Sequence, residues 1–167
     1  PITIVHIPSD RRIKGTEYVI SAFERLSGEF PQVRTVLLSG VSHRELIDEF
    51  ARAHIIVDQL GAPFHGVTSL EAMALGRVAV SRINAEVLER IRVLHPTYDT
   101  PVPPIVAAKP ETIYDVLRDL IRRPQDLPAL GLAGRRYVEQ YHDAALVADD
   151  QLLDLGHGQI CLGRVRR

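Results

Sequence analysis

Residues 54–81, HIIVDQLGAPFHGVTSLEAMALGRVAVS, decide the fold of this chain. Two short apolar runs, His54 to Asp58 and Val78 to Ser81, enclose a glycine-containing loop and a helical run of small residues that ends at Gly76. Apolar strands that alternate with helices build a parallel sheet covered on both faces. The stretch therefore predicts one β-α-β unit of such a sheet.

The same alternation extends along the chain in both directions. Further strands are predicted at Ile2 to Ile7, Val33 to Ser39 and Ile105 to Ala108. Helices are predicted from an N-cap at Thr16 to Gly28, from a capping box at Ser42, from a second box at Thr68, from a cap at Asn84 to about Leu94, from Pro110 to Pro124, from Leu127 to Tyr141 and from Ala144 to Leu155. The sequence thus predicts an α/β fold: a doubly wound, Rossmann-like parallel sheet of five strands in the order 2-1-3-4-5, with helices on both faces. We expect this domain to cover residues 1–155 and a loose tail to cover 156–167.

The composition describes one ordinary globular domain. The chain has 167 residues, of which 46% are hydrophobic and 25% charged, and its net charge is −1. These values disfavour a disordered chain and a strongly basic nucleic-acid binder. No apolar run approaches the length of a membrane span, and the single cysteine, Cys161, indicates a reducing compartment, so we expect a cytoplasmic protein. The chain begins at Pro1 rather than Met, which predicts that it is part of a longer protein.

The loop after the first strand carries three cations. Arg11, Arg12 and Lys14 stand between a strand end and the start of a helix. Ligands of doubly wound sheets lie beyond the carboxyl ends of the strands, and helix N-termini with basic side chains favour anions such as phosphate. A solvated charged loop is the alternative interpretation. The loop lacks the Gly-x-Gly-x-x-Gly pattern, which disfavours a dinucleotide site.

A second loop leads to the same predicted edge of the sheet. Gly66 permits close approach of the backbone, and the amides that follow it lie near a helix start. Thr68 and Glu71 have the spacing of a capping box, so Glu71 either caps the helix or faces a ligand. His65 is either a ligand contact or a loop histidine with no direct role.

These motifs resemble a known family. Ser69 to Gly76, followed by Val78-Ala79-Val80, resembles the donor-site signature of GT-B glycosyltransferases of the group 1 type, a large retaining family. Ile13-Lys14-Gly15-Thr16 is similar to the Lys-Gly loop of that family, and residues 54–59 and 134–138 fit two further motifs. The resemblance covers residues 2 to 155 and only the C-terminal half of such enzymes, which binds the nucleotide sugar.

The resemblance implies a reaction and a set of residues. It implies transfer of a sugar from a nucleoside diphosphate sugar to an acceptor held by an N-terminal domain, with retention and without metal or cofactor. No nucleic acid partner is expected, because the composition disfavours one. Preorganised cations and amides would stabilise the departing diphosphate. Lys14 would contact the diphosphate and Glu71 the ribose hydroxyls as the catalytic pair, and the other donor-binding residues would be Ser9, Arg11, Arg12, His65, Gly66, Val67, Thr68 and Ser69. The isolated chain is expected to bind the donor without turnover. The full enzyme is expected to be either free in the cytoplasm or attached to the inner face of the membrane.

Two other functions compete with this one. Pro63 stands where the family usually has an acidic residue, which favours a catalytically silent nucleotide-sugar-binding or interaction domain. A receiver-like signalling domain shares the predicted strand order, and Asp58, Ser81 and Lys109 fit its pattern. The first strand, however, ends in His6 and Ile7 rather than in the acidic pair that a receiver needs for magnesium.

Overall fold

A single parallel sheet organises the computed structural model, which describes residues 1–94 and 102–142. Its five strands, numbered along the chain, lie in the order 2-1-3-4-5, which confirms the predicted fold class and strand order. The strands are β1 (Thr3–His6), β2 (Arg34–Leu37), β3 (Ile55–Val57), β4 (Val78–Ser81) and β5 (Val106–Ala107). Val5 pairs with Val36 of β2 on one side and with Ile56 of β3 on the other. The order of the strands reverses around β1 and β3, so ligand chemistry is expected beyond the carboxyl ends of these two.

Seven α-helices accompany the strands in the described residues. They are α1 (Arg11–Lys14), α2 (Thr16–Glu29), α3 (His43–Arg52), α4 (Val67–Ala74), α5 (Ala85–Leu94), α6 (Ile113–Arg122) and α7 (Leu127–Tyr141), with a 3-10 turn at Pro124–Asp126. No helix among the described residues combines the length and the apolar character that a membrane span requires.

Alternate residues of the central strands feed two hydrophobic cores, one on each face of the sheet. Ile4 packs on the face that α2 and α6 cover, whereas its neighbour Val5 packs on the face that α3, α4 and α7 cover. Successive side chains of a strand point to opposite faces, so a strand buried on both faces must be apolar throughout. This requirement explains why β3 and β4 are almost wholly apolar.

Two glycines let α7 lie close to α4 and to the turn that follows it. A Cβ built on Gly131 would lie 2.1 Å from the carbonyl oxygen of Gly76, and one built on Gly134 would lie 2.8 Å from Cγ of Met73. Any larger residue would push the helix away. The C-terminal end of α4 and the turn at Gly76 are therefore packed directly against α7.

Two predicted helix starts are confirmed. Ser42 and Glu45 form the capping box, in which Ser42 Oγ accepts a hydrogen bond from the Glu45 amide at 3.3 Å and a Glu45 carboxylate oxygen accepts one from the Ser42 amide at 2.8 Å. Asn84 precedes α5, and its side chain accepts a hydrogen bond from the Glu86 amide at 2.9 Å.

Other predicted ends were wrong. Thr68 lies inside α4, whose N-cap is Gly66, so the second capping box does not form. Thr16 is the first residue of α2, and Gly15 caps that helix. Gly28 lies inside the last turn of α2, and Pro110 lies in a turn that precedes α6.

The predicted helix from Ala144 to Leu155, the tail at 156–167 and Cys161 lie outside the described residues. The predicted domain boundary at residue 155 is therefore not tested and stays a prediction.

Candidate functional site

The loop after β1 is one turn of helix rather than an open loop. The Asp10 side chain caps this turn by accepting hydrogen bonds from the amides of Arg12 at 2.9 Å and Ile13 at 2.8 Å. Gly15, with φ of +64°, then links α1 to α2. In that left-handed conformation a side chain would be strained, and a Cβ would also meet Cβ of Leu60 at 2.9 Å.

This geometry separates the three predicted cations. Lys14 is buried, with 7% of its surface exposed, whereas Arg11 and Arg12 are exposed. Arg11 pairs with Glu17 at 2.7 Å on the first turn of α2. Ser9 is exposed at the start of the same segment.

Lys14 is directed at Asp58, the residue that follows β3. Its ammonium group donates to Asp58 Oδ1, and it lies 3.3 Å from the hydroxyl oxygen of Thr68. The other carboxylate oxygen of Asp58 accepts hydrogen bonds from the Gly66 amide and the Ser69 hydroxyl, each at 2.7 Å. We call this group of Lys14, Asp58, Gly66 and Ser69 the Asp58 junction.

The junction uses donors that the resemblance assigned to a ligand. Asp58 and Ser69 are fully buried, and Asp58 engages the Lys14 ammonium, the Gly66 amide and the Ser69 hydroxyl. A buried carboxylate is stable only when such donors satisfy it. Through these hydrogen bonds Asp58 holds the loop after β1 against the loop that leads into α4. Val67 and Thr68 are more exposed and are therefore better placed to meet a ligand.

His6 lies beneath the junction at the end of β1. Its side chain is fully buried, with Nδ1 2.8 Å from the Val57 carbonyl oxygen and Nε2 3.0 Å from the Thr16 hydroxyl oxygen. Since a carbonyl can only accept, Nδ1 carries the hydrogen and Nε2 accepts from Thr16. Burial lowers the pKa of His6, which keeps the ring neutral and suited to this double role.

Glu71 has a partner that the sequence pattern did not indicate. His43, the first residue of α3, places Nε2 2.7 Å from Glu71 Oε1. The carboxylate lies on the second turn of α4 and is about a quarter exposed, so it is open to solvent at the carboxyl edge.

His65 lies at the entrance to α4 and is half-buried. Its ring contacts Phe64 with 4.3 Å between ring centroids, and its Nδ1 is 3.3 Å from the Gly66 carbonyl oxygen. Burial lowers the pKa of His65. The ring is therefore held within its own loop, and its role toward a sugar stays a prediction.

Asp58 and His43 are the site residues that the sequence analysis did not assign to the donor site. In the sequence, Asp58 either fits the receiver-like pattern or is a strand-end residue beside a loop, and His43 is only part of a capping box. The partners of Asp58 lie 8, 11 and 44 positions away in sequence, and Glu71 lies 28 positions from His43. The signal that both residues share is their position, directly after β3 and after the β2 loop, at the edge where ligands bind.

The structure also bears on the receiver-like interpretation. The carboxylate of Asp58 is fully buried and hydrogen-bonded on both oxygens, unlike the exposed acceptor that a receiver-like domain requires. Within the described ranges no three or more His, Cys, Asp or Glu side chains come together in a way that could hold a metal ion.

A cavity of about 840 Å³ lies at the opposite edge of the sheet. It is lined by residues such as Ile2, Val33, His54 and Arg77, which precede the strands, and by none of the predicted site residues. Ligands of doubly wound sheets bind at the carboxyl edge, so the candidate site is placed there and not in this cavity.

Known structures share this fold. No protein-family model matches the sequence, and no curated protein matches it significantly. The structure is similar to the C-terminal domain of a group 1 family glycosyl transferase, LpcC, from Francisella tularensis, with a TM-score of 0.56 and 16% identity over 83% of this chain and 85% of that one.

Two longer chains are also similar. WaaG, a glycosyltransferase involved in lipopolysaccharide biosynthesis, matches with a TM-score of 0.54 and 16% identity over 95% of this chain and 47% of that one. The pneumococcal O-GlcNAc transferase GtfA, solved with UDP and GlcNAc, matches with a TM-score of 0.52 and 12% identity over 84% of this chain and 32% of that one. This chain therefore has the fold of the C-terminal domain of a GT-B glycosyltransferase, and it spans less than half the length of the two longer proteins.

Proposed function

We propose that this chain binds a nucleoside diphosphate sugar at the carboxyl edge of its sheet, as the donor-binding part of a retaining glycosyltransferase. The acceptor would be held by an N-terminal domain of the same enzyme. One observation carries the proposal: Asp58 ties the Lys14 loop to the start of α4 at this edge, with Glu71 on the next turn. These are the segments that the resemblance assigns to the donor, on a sheet with the matching fold.

The charges suggest how the site would meet a diphosphate. Lys14 and Asp58 together are neutral, so their pair cannot balance the negative charge of a departing nucleoside diphosphate. The first-turn amides of Val67 and Thr68 have no partner within an α-helix and are directed out of the N-terminus of α4. With the exposed side chains of Arg11 and Arg12 they would provide donors fixed before the reaction, which stabilise developing charge without metal.

Calorimetric titration with UDP, GDP and ADP tests the proposal. We expect one of them to bind, and Glu71→Ala to weaken that binding about tenfold, because a charged acceptor of the ribose hydroxyls is lost. Glu49→Ala is a matched control, since the Glu49 side chain is 22% exposed and that of Glu71 24%. If the unsubstituted chain binds none of the three nucleotides, the proposal is wrong.

A catalytically silent nucleotide-sugar-binding domain is the second candidate, and Pro63 favours it. Pro63 is exposed and offers no carboxylate to the sugar. Both candidates should bind a nucleoside diphosphate sugar in the same titration. The transferase should also release the nucleoside diphosphate when the longer enzyme is incubated with that sugar nucleotide, whereas a silent domain should release none.

A further inference from the structure

His43 and Glu71 join two elements that the sequence separates by 28 positions. His43 comes from the first turn of α3, and Glu71 from the second turn of α4. The His43 side chain is 73% exposed and the Glu71 side chain 24% exposed. Their 2.7 Å contact therefore lies at the surface of the carboxyl edge, where a ligand can reach both residues.

The contact fixes the carboxylate in one orientation. A carboxylate oxygen only accepts hydrogen bonds, so His43 Nε2 carries the hydrogen and donates to Oε1. In the part of the chain that the structure describes, this bond engages Oε1, and Oε2 is available to a ligand. A free glutamate side chain must lose rotamer entropy when it binds, whereas one already held by a histidine loses less.

The position of His43 is itself fixed. Ser42 and Glu45 form the capping box on either side of it, so the first turn of α3 is held by reciprocal hydrogen bonds. The loop that leads into α3 follows β2, and the Leu38 amide still donates to the His6 carbonyl at 3.2 Å. The capping box thus places an imidazole at the ligand edge in addition to starting a helix.

We propose that His43 is a positioning residue, which holds Glu71 so that its carboxylate accepts hydrogen bonds from the vicinal ribose hydroxyls of a bound nucleotide. This inference rests on the proposed function and deepens it. The His43 and Glu71 pair would make the site selective for ribonucleotides over nucleotides without these hydroxyls.

The test compares a ribonucleoside diphosphate with its 2′,3′-dideoxy analogue by calorimetry. The unsubstituted chain should bind the ribonucleotide more tightly. His43→Ala should weaken ribonucleotide binding about fivefold, as expected for loss of a hydrogen bond to a carboxylate, and should leave binding of the dideoxy analogue unchanged. His43→Gln keeps an N–H donor and should recover most of the ribonucleotide affinity.

Arg52→Ala is the control, because it removes an exposed ion pair with Glu49 at the far end of the same helix. An equal loss of affinity for both nucleotides in His43→Ala would overturn the proposal, since His43 would then act on the fold or on the phosphates. An unchanged ribonucleotide affinity would overturn it as well. If neither nucleotide binds the unsubstituted chain, the proposed function fails together with this inference.

Discussion

At the scale of single residues, Asp58 determines how the two loops of the candidate site meet. One carboxylate oxygen accepts a hydrogen bond from the Lys14 ammonium group, and the other accepts hydrogen bonds from the Gly66 amide and the Ser69 hydroxyl. The side chain of Lys14 is 8% exposed and that of Asp58 is fully buried. Removing one member of such a pair leaves the other charge buried and uncompensated, which costs more than the pair itself contributes.

The two members of the pair should not be equivalent. Asp58→Asn removes the counter-charge of a buried ammonium group and turns an NH2 donor toward either Lys14 or the Gly66 amide, whereas Lys14→Met leaves a carboxylate that keeps two good donors. We therefore expect Asp58→Asn to lower the free energy of unfolding by about 3 kcal/mol and Lys14→Met by clearly less. Urea denaturation of both variants measures this difference.

The control for this comparison is Glu17→Gln, which breaks the exposed pair with Arg11 and should cost under about 1 kcal/mol. Equal losses for Asp58→Asn and Lys14→Met would contradict the asymmetry. The double variant should lose less than the sum of the two single variants, because each single variant strands a charge that the double variant removes.

The residues of the site could be predicted only in part. Lys14, Glu71 and the Gly66 segment follow recognisable local patterns, and the structure brings Lys14, Gly66 and Ser69 together. Asp58 and His43 act through partners far away in sequence, and no periodicity or spacing reports such a contact. Their roles became visible only once the strand ends had been placed in one sheet.

At the scale of elements, the ends of helices were harder to predict than their existence. The Thr16 hydroxyl has the chemistry of an N-cap, but it bonds the buried ring of His6 and leaves the cap to Gly15. Thr68 similarly lies near the Lys14 ammonium inside α4. In both places the threonine hydroxyl contacts a residue of another element instead of capping its own helix. Ser42 has no such competitor, and there the capping rule holds.

Two helical glycines should respond to alanine with opposite signs. Gly131 in α7 faces the Gly76 carbonyl oxygen, so Gly131→Ala should destabilise the protein by about 2 kcal/mol through overpacking. A methyl group added to Gly28 in α2 would meet no atom within 4 Å, so Gly28→Ala should stabilise the protein by about 0.5 kcal/mol through higher helix propensity. Thermal unfolding of both variants checks the signs, and a stabilised Gly131→Ala would show that α7 does not depend on this close approach.

At the scale of the whole molecule, the alternation of strands and helices was enough to predict the sheet and its order. The central strands are apolar on both sides because helices cover both faces, and the crossovers between parallel strands have one hand. The site at the carboxyl edge follows from that order rather than from the shape of the surface. Charge balance was less informative, since a net charge of −1 says nothing about a cation buried beside its partner.

The stability of the whole fold should fall as the pH drops below about 6.5. Burial lowers the pKa of His6, His54, His65 and His142, so each of them is neutral in the fold at a pH where the unfolded chain already binds a proton. Above the unfolded pKa both states are neutral and the fold has its full stability. As the pH falls through that value the unfolded state takes up more protons, so the free energy of unfolding decreases.

His6 should contribute most to this loss, because it is fully buried and uses both ring nitrogens. Replacing it by asparagine keeps a donor for the Val57 carbonyl and removes the titrating group. The free energy of unfolding, measured in urea between pH 7 and 5, should therefore fall less steeply in His6→Asn than in the unsubstituted protein. The two slopes should differ by up to about 1.4 kcal/mol per pH unit. His54→Asn, at an exposed ring near the opposite edge of the sheet, should change the slope less. Identical slopes for His6→Asn and the unsubstituted protein would contradict this prediction. They would mean that the ring accepts a proton as easily in the fold as in the unfolded chain, despite its complete burial and its two hydrogen bonds.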